Sequence, residues 1–333
     1  MKKTSCLIFA ALILAVPVFA QQTGTTESKL SEYMNKVRTS ALKYTVEENN
    51  TLKGILNEDP DVLLKSLQKH EADTDHRVRS KAFSLEWTVV QKMGSDEAMR
   101  PLVTRMVRAC AGDPDRNIRD YIARLMARSS SDYFNEESKQ IIRDATANNC
   151  KDSRILILCG VAGLKDQIPT LRKLLVDETK LDRATGRYGT SWYARLALAR
   201  MGSKDDTAQC IKVVDAEKDS VFRVGVLLNH LAFTRQQEVI SVLRSELMSE
   251  ERLPSAMDFS QPSDNQNDSN TGTSVSSYAL NTLARTVEGF PVRYKGYIAY
   301  DIDELKTARE WMNQHKEITF KKTVSFGDPF VWN

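Results

Sequence analysis

Apolar residues return at three- and four-residue steps through most of the chain, the spacing of amphipathic helices with one covered face. Leu30, Tyr33, Met34, Val37, Ala41 and Leu42 set the pattern first and predict a helix over about 28–49. Val62, Leu63, Leu64 and Leu67 resume it after Pro60. From there, breakers and caps divide the sequence into pairs of helices: about 60–70 with 76–93, 95–111 with 116–129, and 131–149 with 153–164. Three further pairs cover about 166–178 with 190–202, 204–217 with 219–232, and 235–250 with 276–288. The pairs follow one another at a period of roughly 35–40 residues, the range of stacked helical repeats. A last helix from Asp301 to about 316 precedes Ile318, Phe320, Val324, Phe326, Phe330 and Trp332, which read as a terminal cap with a short strand.

Residue identity repeats along with the helices. Asp75-x-x-x-Arg79, Asp115-x-x-x-Arg119 and Asp219-x-x-x-Arg223 each open a second helix. An aspartate there caps free backbone N–H groups, and the arginine lies one turn on, on the same face. Pro101 and Pro169 are expected in the first turns of first helices, where a missing N–H costs little.

Three stretches carry a family resemblance: Asp75-His76-Arg77-Val78-Arg79-Ser80-Lys81-Ala82, Asp115-Arg116-Asn117-Ile118-Arg119, and Ala194-Arg195-Leu196-Ala197-Leu198-Ala199-Arg200-Met201-Gly202. In these the chain resembles the HEAT-repeat family, including the variety first noted in phycobilisome lyases, over about residues 60–250 and more weakly over 276–288. The resemblance implies an all-α chain, an α-α superhelix of the HEAT/armadillo-like solenoid type. It supports a fold far more than an activity. Physical reasoning reaches the same architecture, because one helix pair cannot bury its apolar face alone and neighbours must share a core. The expected organisation is a signal peptide over 1–20, an N-terminal capping helix within 21–59, helical repeats over 60–290 and a C-terminal cap over 291–333. A low-complexity insert at about 251–275 is expected to be disordered.

Composition sharpens this picture in two places. With 14 glycines and 9 prolines in 333 residues, the chain lacks the turn residues of an all-β protein, and 41% hydrophobic residues suffice for a core. Lys2 and Lys3, the apolar run Cys6 to Val16, and Val18 and Ala20 at the −3 and −1 positions predict cleavage after Ala20. The protein is therefore expected in the periplasm or outside the cell, with no membrane span, since the apolar run is too short to cross roughly 30 Å of hydrocarbon. The formal charge is +3, from 47 basic and 44 acidic residues. Removing Lys2 and Lys3 leaves near balance, which argues against a nucleic-acid partner.

Candidate chemistry is sparse. His70, His76, His230 and His315 sit on separate predicted helices, and His70-Glu71 is a lone His-Glu pair where a metal centre built from such pairs needs several. No nucleophile elbow, phosphate loop or dinucleotide fingerprint occurs. No catalytic residue, metal ligand or cofactor is assigned. Seven arginines at 100, 105, 108, 116, 119, 124 and 128 are interleaved with acids, the pattern of a surface that neutralises itself locally. Cys110 and Cys150 fall at equivalent ends of successive first helices, which allows either a disulfide or two buried thiols; Cys159 and Cys210 look like core positions. Two enlarged turns, Thr179 to Gly189 and Glu251 to about Val275, share one edge of the predicted stack, with Arg187, Tyr188 and Phe259 as candidate partner contacts. The leading functional expectation is a non-catalytic binding or scaffolding module, able to stand as a monomer, whose partner is another protein. An enzyme or enzyme-associated subunit with a site assembled across repeats, and a structural part of an envelope assembly, are the alternatives.

Overall fold

The computed structural model describes residues 25–40, 45–148, 151–175, 189–253, 274–295, 298 and 300–322. Among these the regular elements are helices, and the only strand-like pairings are isolated antiparallel bridges, Arg252 with Ser274 and Val287 with Phe320. The chain is all-α.

The first predicted helix is divided in two: α1 (Thr26–Arg38) and α2 (Val46–Ile55). The division has a local cause. Ser40 takes a left-handed conformation (φ 55°), and Thr45 starts a new helix with a capping box in which its hydroxyl accepts from Glu48 N. The following helices are α3 (Pro60–Gln68), α4 (His76–Met93), α5 (Asp96–Gly112), α6 (Arg116–Met126), α7 (Glu136–Asn148), α8 (Ser153–Ala162), α9 (Ile168–Lys173) and α10 (Thr190–Arg200). After them come α11 (Lys204–Ala216), α12 (Ser220–Phe222), α13 (Leu228–Thr234), α14 (Ile240–Met248), α15 (Val275–Thr286) and α16 (Ile302–Gln314). A π-helical stretch, Arg223–Leu227, joins α12 to α13. Pro101 departs from expectation. It stands in the second turn of α5, because that helix already begins at the Ser95 cap, whereas Pro169 does occupy the first turn of α9.

Partners pack as pairs, α3 on α4, α5 on α6, α7 on α8, α9 on α10, α11 on α13 and α14 on α15. Second helices also touch in series, α4 to α6 to α8 to α10 to α13 to α15, while α1 covers α3 and α4, and α16 covers α14 and α15. One apolar cluster unites Leu30, Met34, Ile55, Leu63 and Val78; a second runs on from Phe83 to Ile318. Cys110, Cys159 and Cys210 are free thiols inside this second cluster, and burial pushes the Cys110 thiol up to about 12. Cys150 lies outside the described residues.

The repeated Asp-x-x-x-Arg pattern has a mechanical meaning. Asp75, Asp115 and Asp219 cap their helices by accepting from Arg77 N, Asn117 N and Phe222 N. The arginine one turn later folds back onto the entering loop: Nη1 of Arg79, Arg119 and Arg223 donates to the carbonyls of Asp73, Asp113 and Glu217. Those same three acids accept from the cap residues' own N–H groups, at 2.9, 2.8 and 3.0 Å. The full unit is therefore acid-x-Asp-x-x-x-Arg. Its first acid also ties pairs together, since Asp113 takes a two-pronged bond from Arg79 of the preceding pair at 2.9 Å on each prong. Arg154 to Asp120 (2.9 Å), Arg172 to Asp206 (2.8 Å) and Arg223 to Glu246 (2.9 Å) make comparable joints further along.

Asp206 is the most deeply buried acid in these joints, with a wholly covered side chain that also accepts from Arg195 at 3.1 Å. Asp206→Ala removes the buried carboxylate that Arg172 and Arg195 share and takes support from the Ser203 cap of α11. The expected cost is about 3 kcal/mol, read as a lower urea midpoint with unchanged slope.

Candidate functional site

The interior of an α-helical stack has no use for polar side chains unless they bond one another, yet the last second helices carry many. In α15, Ser276, Ser277, Asn281, Thr282, Arg285 and Thr286 are all buried. Asn229, on the facing α13, organises them. Its Nδ2 donates to the Gly225 carbonyl in the π-helical stretch (2.9 Å), while its Oδ1 accepts from Thr282 Oγ1 (3.2 Å) and from the Arg285 guanidinium. One residue on, His230 is fully buried against α10, where Trp192 Nε1 lies 3.0 Å from its Nδ1. An indole N–H can only donate, so Nδ1 accepts and the imidazole proton sits on Nε2. Burial lowers His230 to about 3, so the ring is neutral at any physiological pH and is no acid-base shuttle there.

Guanidinium groups gather where these helices end. Arg200, the last residue of α10, donates from Nη1 to the Phe233 carbonyl in the last turn of α13 (2.7 Å) and lies 5.4 Å from that residue's ring centre. Arg235, just past α13, is left-handed (φ 55°). Its Nη1 donates to the Lys322 carbonyl (2.9 Å) and its Nη2 to the Arg128 carbonyl (3.3 Å), beyond the end of α6. Burial together with Arg235 holds the Arg200 guanidinium well below its usual range, and burial lowers Arg235 to about 10.

A second cluster joins the turn after α3 to α4 and α5. Arg105 bridges two carboxylates, Glu71 at 2.8 Å and the fully buried Glu86. Glu86 Oε1 has no hydrogen-bond partner among the described residues. Burial, then the hydrogen bond and charge of Glu71, push Glu86 up to about 9 against the opposing pull of Arg105. Glu86 therefore keeps its proton at neutral pH.

Several sequence expectations meet the structure here. Arg105, Arg108 and Arg116 are paired locally, with Glu71 and Glu86, with Glu137 and with Asp120, while Arg119 bonds loop carbonyls. No group of three or more His, Cys, Asp or Glu side chains is placed to hold a metal ion among the described residues. No described helix is long and apolar enough to cross a membrane. Arg187, Tyr188 and Phe259 lie outside the described residues, as do residues 1–20. Arg200, Arg235, Asn229 and Glu86 were not singled out by sequence reasoning. Only Arg200 carried any signal, as the charged end of an otherwise small and apolar helix. No family model, curated protein or solved structure matches this chain.

Proposed function

We propose that the chain is an exported HEAT-like helical-repeat solenoid that acts by non-catalytic protein binding or scaffolding. The observation that carries this reading is the serial packing of second helices, α4 through α15, with acid–arginine joints between pairs. Such a series presents one long face and one long edge, and leaves both open to a partner. The bond from Arg235 to the Arg128 carbonyl, 107 residues away, supports a curved series with a concave face, because it brings the ends of α6 and α13 together. Export rests on Lys2, Lys3, the apolar run to Val16 and the small residue Ala20.

The reading is tested by purifying the chain from the native host's envelope and reconstituting any complex from pure components. A stoichiometric protein partner that rebinds is expected. A chain that binds no protein but turns over a small substrate would overturn the proposal.

The long insert between Leu253 and Ser274 can be probed separately. Its two ends are already joined, by the bridge between Arg252 and Ser274 and by Val275 N donating to the Glu251 carbonyl (3.0 Å). Ser274 also caps α15, so a deletion must spare it. Removing 256–271 is expected to change stability by less than about 0.5 kcal/mol in thermal unfolding, while weakening partner capture. Capture that survives this deletion and also Arg187→Ala with Tyr188→Ala moves the contact to the concave face.

A further inference from the structure

We infer that the uncovered side of α4 and α6, centred on Lys81 and Arg124, is the docking surface for an acidic, extended segment of a partner protein. The inference rests on the protein-binding reading and says which part of the second-helix face does the binding. Farther along the series that face is closed: every residue of α8 from Ile155 to Ala162 and of α13 from Leu228 to Thr234 is buried. The first two second helices differ. Arg77, Lys81, Ser84 and Thr88 recur at three- and four-residue steps on one side of α4, Tyr121 and Arg124 do so on α6, and all six are exposed or half-buried. The two sides adjoin, because α4 packs on α6 and Tyr121 hydrogen-bonds Ser84.

Charge selects the occupant. None of the six residues is an acid, in a chain whose 47 basic and 44 acidic residues nearly balance. Arg77, at one end of the row, is paired with Asp75. Elsewhere on the same helices Arg79 and Arg116 are paired with Asp113 and Asp120. Lys81 and Arg124 take part in no ion pair among the described residues; the Lys81 Nζ instead lies 5.6 Å from the centre of the Tyr33 ring. Burial lowers the Lys81 ammonium, and no neighbouring carboxylate opposes that shift. A partner's carboxylates would supply the missing opposite charge at both positions. From Arg77 to Thr88 the helix rises about 16 Å, the reach of about five extended residues. Two open cations, spaced by uncharged side chains, suit scattered carboxylates better than the dense phosphates of a nucleic acid.

Fluorescence anisotropy of the full chain with labelled hexaglutamate at low ionic strength tests the surface, with labelled hexalysine and a single-stranded oligonucleotide alongside. Saturable binding of hexaglutamate that weakens with added salt, and none of hexalysine, is expected. Lys81→Gln and Arg124→Gln should each weaken it roughly threefold and together roughly tenfold. Arg108→Gln, which removes a surface guanidinium paired with Glu137, should leave it unchanged. Lys81→Met keeps the aliphatic stem without the charge and should show the same loss, which serves if Lys81→Gln loses its helical circular dichroism. The proposal is overturned by an absence of saturable hexaglutamate binding, by tighter binding of the oligonucleotide, or by affinities that the folded Lys81 and Arg124 variants leave unchanged. An envelope partner that rebinds the double variant as tightly as the parent chain also overturns it, yet leaves the protein-binding reading standing.

Discussion

Gly160→Val is expected to abolish the native fold, or to lower its stability by more than about 4 kcal/mol. Gly160 lies in α8, where that helix crosses α10. A Cβ added there would sit 2.8 Å from Ala197 Cα, 3.1 Å from Ala197 O and 3.2 Å from Ala197 Cβ. Two of those atoms are backbone, so no rotamer change relieves the clash and the helices must separate. Their separation would open the core on both sides, because Leu156, Cys159, Ala194, Leu196 and Leu198 are all buried. Gly160→Ala is milder, about 1–3 kcal/mol destabilising, since the roughly 1 kcal/mol gained in helix propensity offsets only part of the overpacking. Gly54→Ala in α2 provides the opposite sign. Nothing lies within 4 Å of its added Cβ, so propensity acts alone and stability should rise by about 0.5–1 kcal/mol. Urea unfolding of the three variants measures the contrast. Equal effects of Gly160→Ala and Gly54→Ala would show that the α8–α10 crossing is looser than described.

That crossing illustrates what a sequence discloses and what it hides. Helix periodicity and the caps at Asp75, Asp115 and Asp219 are local properties, and the pairs they define appear in the structure with shifts of a few residues at their ends. Ala194, Ala197 and Ala199 are small residues visible in the sequence, but the partner of Ala197, Gly160, is named only by three-dimensional contact. The split of the first helix is legible in Thr45-x-x-Glu48, a capping box in the middle of an apolar pattern. The acid two places before each capping aspartate is equally legible, as Asp73, Asp113 and Glu217, but its role across the pair boundary rests on the contact of Arg79 with Asp113, which only the fold creates. The nearness of Arg200 to Arg235 was not legible. Arg200 and Arg235 belong to different helix pairs, and the carbonyl that Arg235 holds is 107 residues away. Periodicity carries no information on such contacts, which depend on the angle at which each pair meets the next.

The Glu71–Arg105–Glu86 cluster gives the second large effect, a loss of stability with rising pH that Glu86→Gln removes. The cluster sets two carboxylates against one guanidinium, with Glu86 fully buried. Glu86 has its carboxyl raised to about 9 in the folded chain, from 4.5 as the ordinary value. A raised carboxylate means that the folded chain holds a proton the unfolded chain has released. Its contribution is fully present below about pH 4.5 and is lost progressively as pH climbs through 9. The slope from one proton is at most about 1.4 kcal/mol per pH unit, so the swing between pH 5 and pH 9 amounts to several kcal/mol. Glutamine reproduces the protonated acid, with its amide N–H₂ able to donate to Glu71 and its oxygen able to accept from Arg105. Glu86→Gln should therefore match the parent chain near pH 5 and exceed it by roughly 3 kcal/mol or more at pH 9. Other titrating groups, including His70, affect both proteins alike and cancel in the difference. Urea midpoints at pH 5, 7 and 9 supply the comparison. Parallel curves for the two proteins would mean that Glu86 is already ionised at neutral pH, with Arg105 supporting both carboxylates at once.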